Sequence, residues 1–253
     1  ENIIRKKLFT PLITSTNKKV RLLELTQLDY TYFEEFDESF SRMSPEAFIK
    51  DILVDKLKMK LAVTGYDYRF GYKGQGDVAF LRELGQKYNY KVITIPVIKV
   101  DDDIISSTLI RKYVKKGDMD SAFKLLGRHY SITGVVEKGK RIGNKLGFPT
   151  ANIYPEEYLL MPMDGVYVTR TLLDGKIYNS ITNIGNNPTF NERKKSIETY
   201  ILDYSGDIYG KDIEVFFLKK TRGEKKFNTI DELVEQIRKD IESARQYFID
   251  VKK

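Results

Sequence analysis

The chain has 253 residues, 41% of them hydrophobic, and is long enough to bury the cores of two ordinary domains. It contains no cysteine and one histidine, His129, which excludes disulfides, thiolate metal sites and multi-histidine zinc sites. The net charge of +7 arises from 43 basic and 36 acidic residues spread along the chain, and this mild excess suits phosphate-bearing ligands as well as nucleic acid. No apolar run approaches the ~18 residues of a membrane helix and no signal peptide is evident, so we expect a cytoplasmic protein.

The first half of the chain alternates helical and extended patterns. Its predicted elements are a helix at 15–28, a helix that begins at Ser44 and Pro45, a strand at 61–64, a helix at 77–88 and a strand at 91–97. The helix that begins at Ser44 is expected to bury Phe48, Ile52, Leu53 and Leu57. The continuous apolar run at 61–64 predicts a buried parallel strand, and 91–97 is a second apolar strand. The alternation of strands and helices indicates an α/β domain with a parallel sheet.

Beyond Gly127, short β-rich runs separated by turn sequences replace this pattern. They lie at 130–136, 165–173, 176–184, 196–202 and 213–218. Runs of this length and spacing predict a closed or nearly closed antiparallel barrel. A final helix begins with the capping pair Thr229 and Glu232, and its apolar face comprises Ile230, Leu233, Ile237, Ile241, Ala244 and Phe248. We therefore predict two domains, 1–126 and 127–253.

A segment rich in glycine and positive charge follows the first strand of the second domain. Residues 139–147 hold three glycines and three cations, so the backbone can approach an anion closely. The segment is not a Walker A loop, because no Ser or Thr follows the Gly-Lys pair and no helix is predicted after it. A plain hairpin connection is the alternative interpretation.

Three polar side chains in the second half are candidates for chemistry. Pro149 favours an extended backbone, which places Thr150 and Asn152 on one side as hard oxygen ligands suited to Mg²⁺. The alternative is that both side chains only satisfy backbone groups of a turn. Glu198 shares a strand face with Tyr200 and Leu202, so it is a candidate general base in apolar surroundings; an ordinary surface glutamate is the alternative.

The order of the motifs is specific to one family. Gly-Phe-Pro-Thr-Ala-Asn at 147–152 is followed by Asp-Gly-Val-Tyr at 164–167, Asn-Ile-Gly-Asn-Asn-Pro-Thr-Phe at 183–190, the Glu198 strand and the closing helix. Residues 127–249 thereby resemble the riboflavin kinase module of bacterial bifunctional riboflavin kinase/FMN adenylyltransferases, also called FAD synthetases. The resemblance implies a six-stranded barrel in which ATP and Mg²⁺ convert riboflavin to FMN, with ADP as the second product.

The resemblance also implies roles for individual residues. Thr150 and Asn152 match the family's metal- and phosphate-binding pair, and Glu198 matches the residue that takes the proton from the ribityl 5′-hydroxyl. The other residues expected to bind nucleotide or flavin are Gly139, Lys140, Gly143, Gly147, Phe148, Arg222 and Phe227.

The first half resembles the adenylyltransferase of the same proteins, a Rossmann-like nucleotidyltransferase domain. Residues 105–111, Ile-Ser-Ser-Thr-Leu-Ile-Arg, are similar to a family motif that binds ATP phosphates at a helix start. Hydroxyls and N–H groups there, with an arginine one turn later, form an anion site. The implied phosphate ligands are Ser106, Ser107, Thr108 and Arg111. An N-cap cluster without a ligand is the alternative.

One departure from the family concerns the opening segment. The chain begins at Glu1, and the family's paired histidines in a Gly-rich context are missing. We expect an N-terminally incomplete adenylyltransferase domain that does not make FAD, whereas the complete protein makes both FMN and FAD.

The main alternative function is a nucleic-acid-binding barrel without catalysis, which the dispersed cations disfavour. A flavin-binding regulatory module is another alternative. We expect no nucleic-acid or membrane partner.

Overall fold

In the computed structural model, the structure describes residues 10–138, 143, 146–155, 158–186 and 195–251. The chain forms two compact units. The first contains Leu22–Ile105, and the second contains Pro11–Arg21 together with Ser106–Lys253. The elements of the first unit, in chain order, are the end of α1 (Thr16–Glu24), α2 (Glu38–Ser41), α3 (Pro45–Ala47) continuing as a π-helix (Phe48–Lys56), β1 (Leu61–Gly65), a 3₁₀ turn (Tyr72–Gly74), α4 (Val78–Tyr88), β2 (Lys91–Ile95), β3 (Lys99–Val100) and β4 (Asp103–Ile104).

Helix α3 begins as its sequence predicts but continues differently. The Ser44 hydroxyl accepts a hydrogen bond from the Ala47 N–H at 3.1 Å, and Pro45 occupies the first turn. The π-helical winding that follows changes which side chains share a face. Ile49, which the helical spacing did not select, is fully buried, whereas Leu57 is 43% exposed. The expected burial of Leu57 is therefore wrong.

Strands β1 and β2 pair in parallel, as predicted, with Leu61 opposite Lys91. The expected burial of the strand at 61–64 is wrong for the described residues, because Leu61 and Val63 are exposed. Ala62 packs into a core with Ile49, Phe70, Leu81, Leu84 and Tyr90 on one face. On the other face Val63 and Ile93 are 58% and 50% exposed. A continuous apolar run does not by itself show whether one or both faces of a strand are buried. In the described residues only the face that includes Ala62 packs against a core.

The second unit consists of helices, an antiparallel sheet and a closing helix. Its elements are the start of α1, then α5 (Ser107–Lys116), α6 (Met119–Leu126), β5 (Tyr130–Val135), β6 (Ala151–Ile153), β7 (Gly165–Leu173), β8 (Lys176–Asn186), β9 (Lys195–Ile201), β10 (Asp212–Arg222) and α7 (Ile230–Asp250). Helices α5 and α6 group with the sheet, although they precede Leu126. The predicted domain boundary at Leu126 stays a prediction.

The six strands are ordered β5-β10-β7-β8-β9-β6, and every neighbouring pair is antiparallel. An antiparallel bridge between Glu137, just after β5, and Asn152 of β6 connects the two edges of this sheet. The sheet therefore curls into a nearly closed barrel, and full or near closure removes the exposed edges that invite pairing with other chains. The predicted six-stranded barrel with a C-terminal helix is confirmed.

The two faces of the sheet differ in chemistry. On one face α7 packs Ala244 and Phe248 against Val166 and Val168 of β7, while Ile230 at the start of the helix is 65% exposed, contrary to expectation. On the opposite face five fully buried hydroxyls form one hydrogen-bonded chain with oxygen–oxygen distances of 2.8 to 2.9 Å. Their order is Thr171, Ser180, Thr169, Thr182 and Thr199. Each hydroxyl can donate and accept, so the chain satisfies itself without water.

Candidate functional site

A cleft of about 660 Å³ opens between the sheet and the N-terminal half of α7. This volume lies within the usual range of small-molecule sites, and a mainly apolar wall with a few polar groups is typical of them. The apolar and aromatic residues of the wall are Leu146, Phe148, Val166, Ile181, Tyr200, Phe227, Leu233 and Ile237. The polar and charged residues are Thr150, Asn183, Glu198, Arg222, Glu224, Lys225, Lys226 and Asp240.

Glu198 lies on the cleft wall in the middle of β9. The strand register places it opposite Asn152 of β6 on one side and Asn183 of β8 on the other. Glu198 and Tyr200 are half-buried, while the alternating Ile197 and Thr199 are buried on the other face, as the sequence predicts. Asn183 belongs to the 183–190 motif but was not predicted as a site residue, because only the register of β8 against β9 brings it beside Glu198.

Thr150 and Asn152 lie side by side at the edge strand β6. The Asn152 side chain is 7% exposed, and its Nδ2 donates to the Thr150 carbonyl oxygen at 3.3 Å. This bond uses the nitrogen end of the amide and turns its Oδ1 away from that carbonyl. An amide oxygen and the Thr150 hydroxyl are neutral hard donors, which fits a Mg²⁺ ion that keeps water and phosphate oxygens as its other ligands. Within the described ranges, no group of three His, Cys, Asp or Glu side chains forms an all-protein metal site.

A second cavity, of about 280 Å³, adjoins the cleft at Thr150, which lines both. Apolar and aromatic residues dominate its wall: Val136, Pro149, Ala151, Ile201, Tyr204, Ile208 and Tyr209. Thr199, the last hydroxyl of the buried chain, also reaches it. Among the predicted site residues that the structure describes, Thr150 alone contacts both spaces.

The described part of the Gly-rich segment borders the cleft through Gly143 and Leu146, and Phe148 follows directly. The Gly143 carbonyl accepts from the Leu146 and Phe148 N–H groups at 3.1 and 2.8 Å. A Cβ at Gly143 would lie 2.3 Å from the Phe148 carbonyl oxygen, so this close turn requires glycine. The Phe148 ring meets the Tyr200 ring edge-on at 6.0 Å, and Gly147 adopts a φ of +85°. Gly139 and Lys140 lie outside the described residues.

Arg222 ends β10 and is held by α7. Its Nε donates to Asp240 Oδ1 at 2.9 Å, and its Nη2 donates to Asp240 Oδ2 at 2.6 Å. Gln236, one turn earlier on α7, donates to the same carboxylate at 2.9 Å. Sequence reasoning selected Arg222 and Phe227 but missed Asp240 and Gln236. Their spacing of four residues, which places a Gln and an Asp on one helix face, was the available signal.

The four residues of the predicted adenylyltransferase phosphate site lie on α5 and do not line the cleft. Ser106 is the N-cap, and its hydroxyl accepts from the Leu109 N–H at 3.2 Å. Ser107 and Thr108 are exposed in the first turn. Arg111 donates through Nε to the Pro11 carbonyl oxygen at 2.9 Å. The capping geometry is present, and the phosphate-binding role stays a prediction.

The single histidine takes no part in the cleft. The His129 ring lies 4.5 Å from the Phe123 ring. Burial, together with nearby Arg170, lowers the pKa of His129 below its ordinary value of 6.5. The described lining of the cleft consequently contains no imidazole, and its carboxylates are Glu198, Glu224 and Asp240.

Two family models match the chain. Residues 126–248 match the riboflavin kinase model, and residues 1–109 match the FAD synthetase model. Among curated proteins, bifunctional riboflavin kinase/FMN adenylyltransferases are similar over nearly the whole chain. The protein of Buchnera aphidicola subsp. Schizaphis graminum is 40% identical over 93% of this chain and 77% of its own length. That of Bacillus subtilis is 35% identical over 96% of this chain and 77% of its own length.

One solved structure superimposes with a TM-score of 0.83 at 30% identity, covering 92% of this chain and 75% of that one. Its title is "Crystal Structure of Macrolide-efflux Protein from Streptococcus pneumoniae". In the described part of the present chain, no helix is both long and apolar enough to cross a membrane.

Proposed function

Because the chain belongs to the bifunctional riboflavin kinase/FMN adenylyltransferase family, we propose that it transfers the γ-phosphoryl group of ATP to riboflavin, yielding FMN and ADP. The observation that carries the proposal is the position of Glu198. It lies on the wall of a largely apolar cleft, between two asparagines and within the same site as Thr150. A flat aromatic ring with a polyhydroxyl chain needs such a combination of apolar walls and one polar end.

Glu198 acts in this proposal as the general base. It accepts the proton of the ribityl 5′-hydroxyl as that oxygen attacks the γ-phosphorus, while the bond from phosphorus to the β-phosphate oxygen breaks. Phosphoryl transfer demands alignment more than covalent assistance, so the rigid placement of Glu198 inside a central strand is useful. Phe148, Tyr200 and Phe227 supply apolar surface for the flavin ring.

Thr150 and Asn152 would hold a divalent metal, which we propose to be Mg²⁺. When bound, the ion would neutralise phosphate charge. The second cavity would take the adenine ring, since its wall is apolar and aromatic and it meets the flavin cleft at Thr150. The segment with Gly139, Lys140, Gly143 and Gly147 would contact the phosphates between the two spaces.

We also propose the second family activity, adenylylation of FMN to FAD, because residues 1–109 match the FAD synthetase model. Ser106, Ser107, Thr108 and Arg111 would bind ATP phosphates there, at the N-terminus of α5. We further propose a cytoplasmic enzyme without nucleic-acid or membrane partners.

The proposal is tested by incubating the chain with riboflavin, ATP and Mg²⁺ and separating flavins by chromatography with fluorescence detection. We expect FMN from the wild type and a strongly reduced yield from Asn152→Ala. Glu235→Gln on the exposed side of α7 is the control and should behave as the wild type, since Glu235 pairs with Lys239 and does not line the cleft. A folded wild-type protein that makes no FMN would refute the proposal. Retention of nucleic acid that is lost at high salt would then favour the non-catalytic barrel.

A further inference from the structure

We propose that Asp240 is a positioning residue that fixes the Arg222 guanidinium at the riboflavin end of the cleft, with Gln236 fixing Asp240 in turn. The inference rests on the proposed riboflavin kinase function and adds a residue on α7 to its flavin-binding machinery. Asp240 and Arg222 both line the cleft, and the Asp240 side chain is 10% exposed against 24% for Arg222. The pair is therefore largely withdrawn from water.

The hydrogen bonds leave Arg222 little freedom to rotate. Its Nε and Nη2 each donate to Asp240, and Nη1 donates to the Gly223 carbonyl oxygen at 3.0 Å. Each of the three Arg222 nitrogens thus donates one N–H, which uses three of the five N–H donors of the guanidinium. Among the described residues, the remaining N–H of each Nη group has no assigned acceptor. A neutral ligand with carbonyl and hydroxyl oxygens, such as riboflavin, can accept from them.

The geometry of Asp240 is itself constrained from its own helix. Gln236 Nε2 donates to Asp240 Oδ1, the oxygen that also receives Arg222 Nε. Both carboxylate oxygens are therefore engaged, as a buried charge requires. Because the pair is bidentate and planar, it fixes the orientation of the guanidinium as well as its position.

The pair also sets the path of the chain that follows β10. Arg222 is the last residue of this strand, and residues 224–227 beyond it line the cleft, ending at Phe227. The bond from Nη1 to the Gly223 carbonyl oxygen ties the first peptide of that segment to the locked guanidinium. Loss of the Asp240 carboxylate would free the Arg222 guanidinium to rotate. It would also let Phe227 move away from the flavin. The second cavity shares no residue with this network, so ATP binding should be spared.

The structure offers a matched control on the same helix. Gln246 Nε2 donates to Asp250 Oδ1 at 2.9 Å, which repeats the Gln-to-Asp spacing of four residues at an exposed position outside the cleft. Asp250→Asn therefore makes the same chemical change as Asp240→Asn without an arginine partner. Arg222→Met removes the guanidinium directly and keeps much of its apolar length.

The test measures riboflavin dissociation constants by flavin fluorescence quenching without ATP, and KM values for riboflavin and ATP in the FMN assay. For Asp240→Asn we expect the dissociation constant and the KM for riboflavin to rise about tenfold, with the KM for ATP within twofold of wild type. Asp250→Asn should leave all three unchanged. Adding Asp240→Asn to Arg222→Met should weaken riboflavin binding no further, because the aspartate acts through the arginine.

Several results would overturn the inference. Unchanged riboflavin binding in a folded Asp240→Asn protein would show that the pair is only a structural contact. The same conclusion would follow if the losses of affinity of Asp240→Asn and Arg222→Met multiply in the double variant. If Asp240→Asn does not fold, Gln236→Met decides: a two- to threefold weaker riboflavin binding supports the inference, and wild-type binding overturns it. A wild-type protein that binds no riboflavin would instead refute the proposed function, and the inference with it.

Discussion

Gly165 begins β7 with a φ of +141°, beside the end of β10 at the cleft. A Cβ at this position would lie 2.4 Å from the Arg222 carbonyl oxygen and 3.2 Å from the Gly223 Cα, and both are backbone atoms. We predict that Gly165→Ala destabilises the barrel and displaces Arg222. Backbone strain at positive φ costs about 1–3 kcal/mol. Overpacking against backbone adds about 1–3 kcal/mol.

The expected total is about 2–6 kcal/mol, which for a domain of this size corresponds to a fall in Tm of roughly 5–20 °C. Thermal unfolding followed by circular dichroism measures it, and riboflavin affinity should fall in the same variant. Gly175→Ala is the control, because Gly175 also has a positive φ, +76°, but a Cβ there meets nothing within 4 Å. It should cost only the strain of the left-handed conformation, about 1–2 kcal/mol. Equal losses of Tm for the two variants would refute the reasoning.

Three further predictions concern groups outside the cleft. The pKa of His129 is lower in the folded protein than in the unfolded chain. Relative to His129→Gln, the free energy of unfolding should therefore be at its maximum above about pH 6.5 and decrease at lower pH. NMR titration of the single imidazole, giving a pKa below 6.5, checks the cause; a value above 6.5 would contradict it. Thr182→Val removes two buried hydrogen bonds from the hydroxyl chain and should lower the free energy of unfolding by about 2–3 kcal/mol. Denaturant unfolding measures this loss, and an unchanged free energy would contradict the prediction by showing that the hydroxyl chain rearranges. Lys18→Met leaves the Glu214 carboxylate, whose side chain is 14% exposed, without its ion-pair partner and should cost about 3–5 kcal/mol of unfolding free energy. Most of this loss should be recovered by adding Glu214→Leu, and a neutral single variant would contradict the prediction.

The features that the sequence predicted are those encoded over a few neighbouring residues. The Ser44 cap, the bounds of Gly165–Leu173 and the face shared by Glu198 and Tyr200 follow from local hydrogen bonding and from a period of two. Each of these signals lies within one element. No knowledge of the partner strand or helix is needed to recognise them.

The features that it did not predict depend on contacts between distant parts of the chain. Asn183 is next to Glu198 only because of the register of β8 and β9, and Asp240 meets Arg222 only because α7 packs across the end of β10. The burial of Ile49 likewise depends on a π-helical turn that apolar spacing at 3.6 residues does not reveal. Pairings of this kind are fixed by tertiary packing.

The most direct test of the central claim separates binding from transfer in Glu198→Gln. The substitution keeps the size and hydrogen-bonding capacity of the side chain but removes its ability to take a proton at neutral pH. The account predicts that this variant binds riboflavin as the wild type does, while the rate of FMN formation with ATP and Mg²⁺ falls at least about 100-fold. A variant that forms FMN at the wild-type rate would contradict the assignment of Glu198 as the base of a riboflavin kinase.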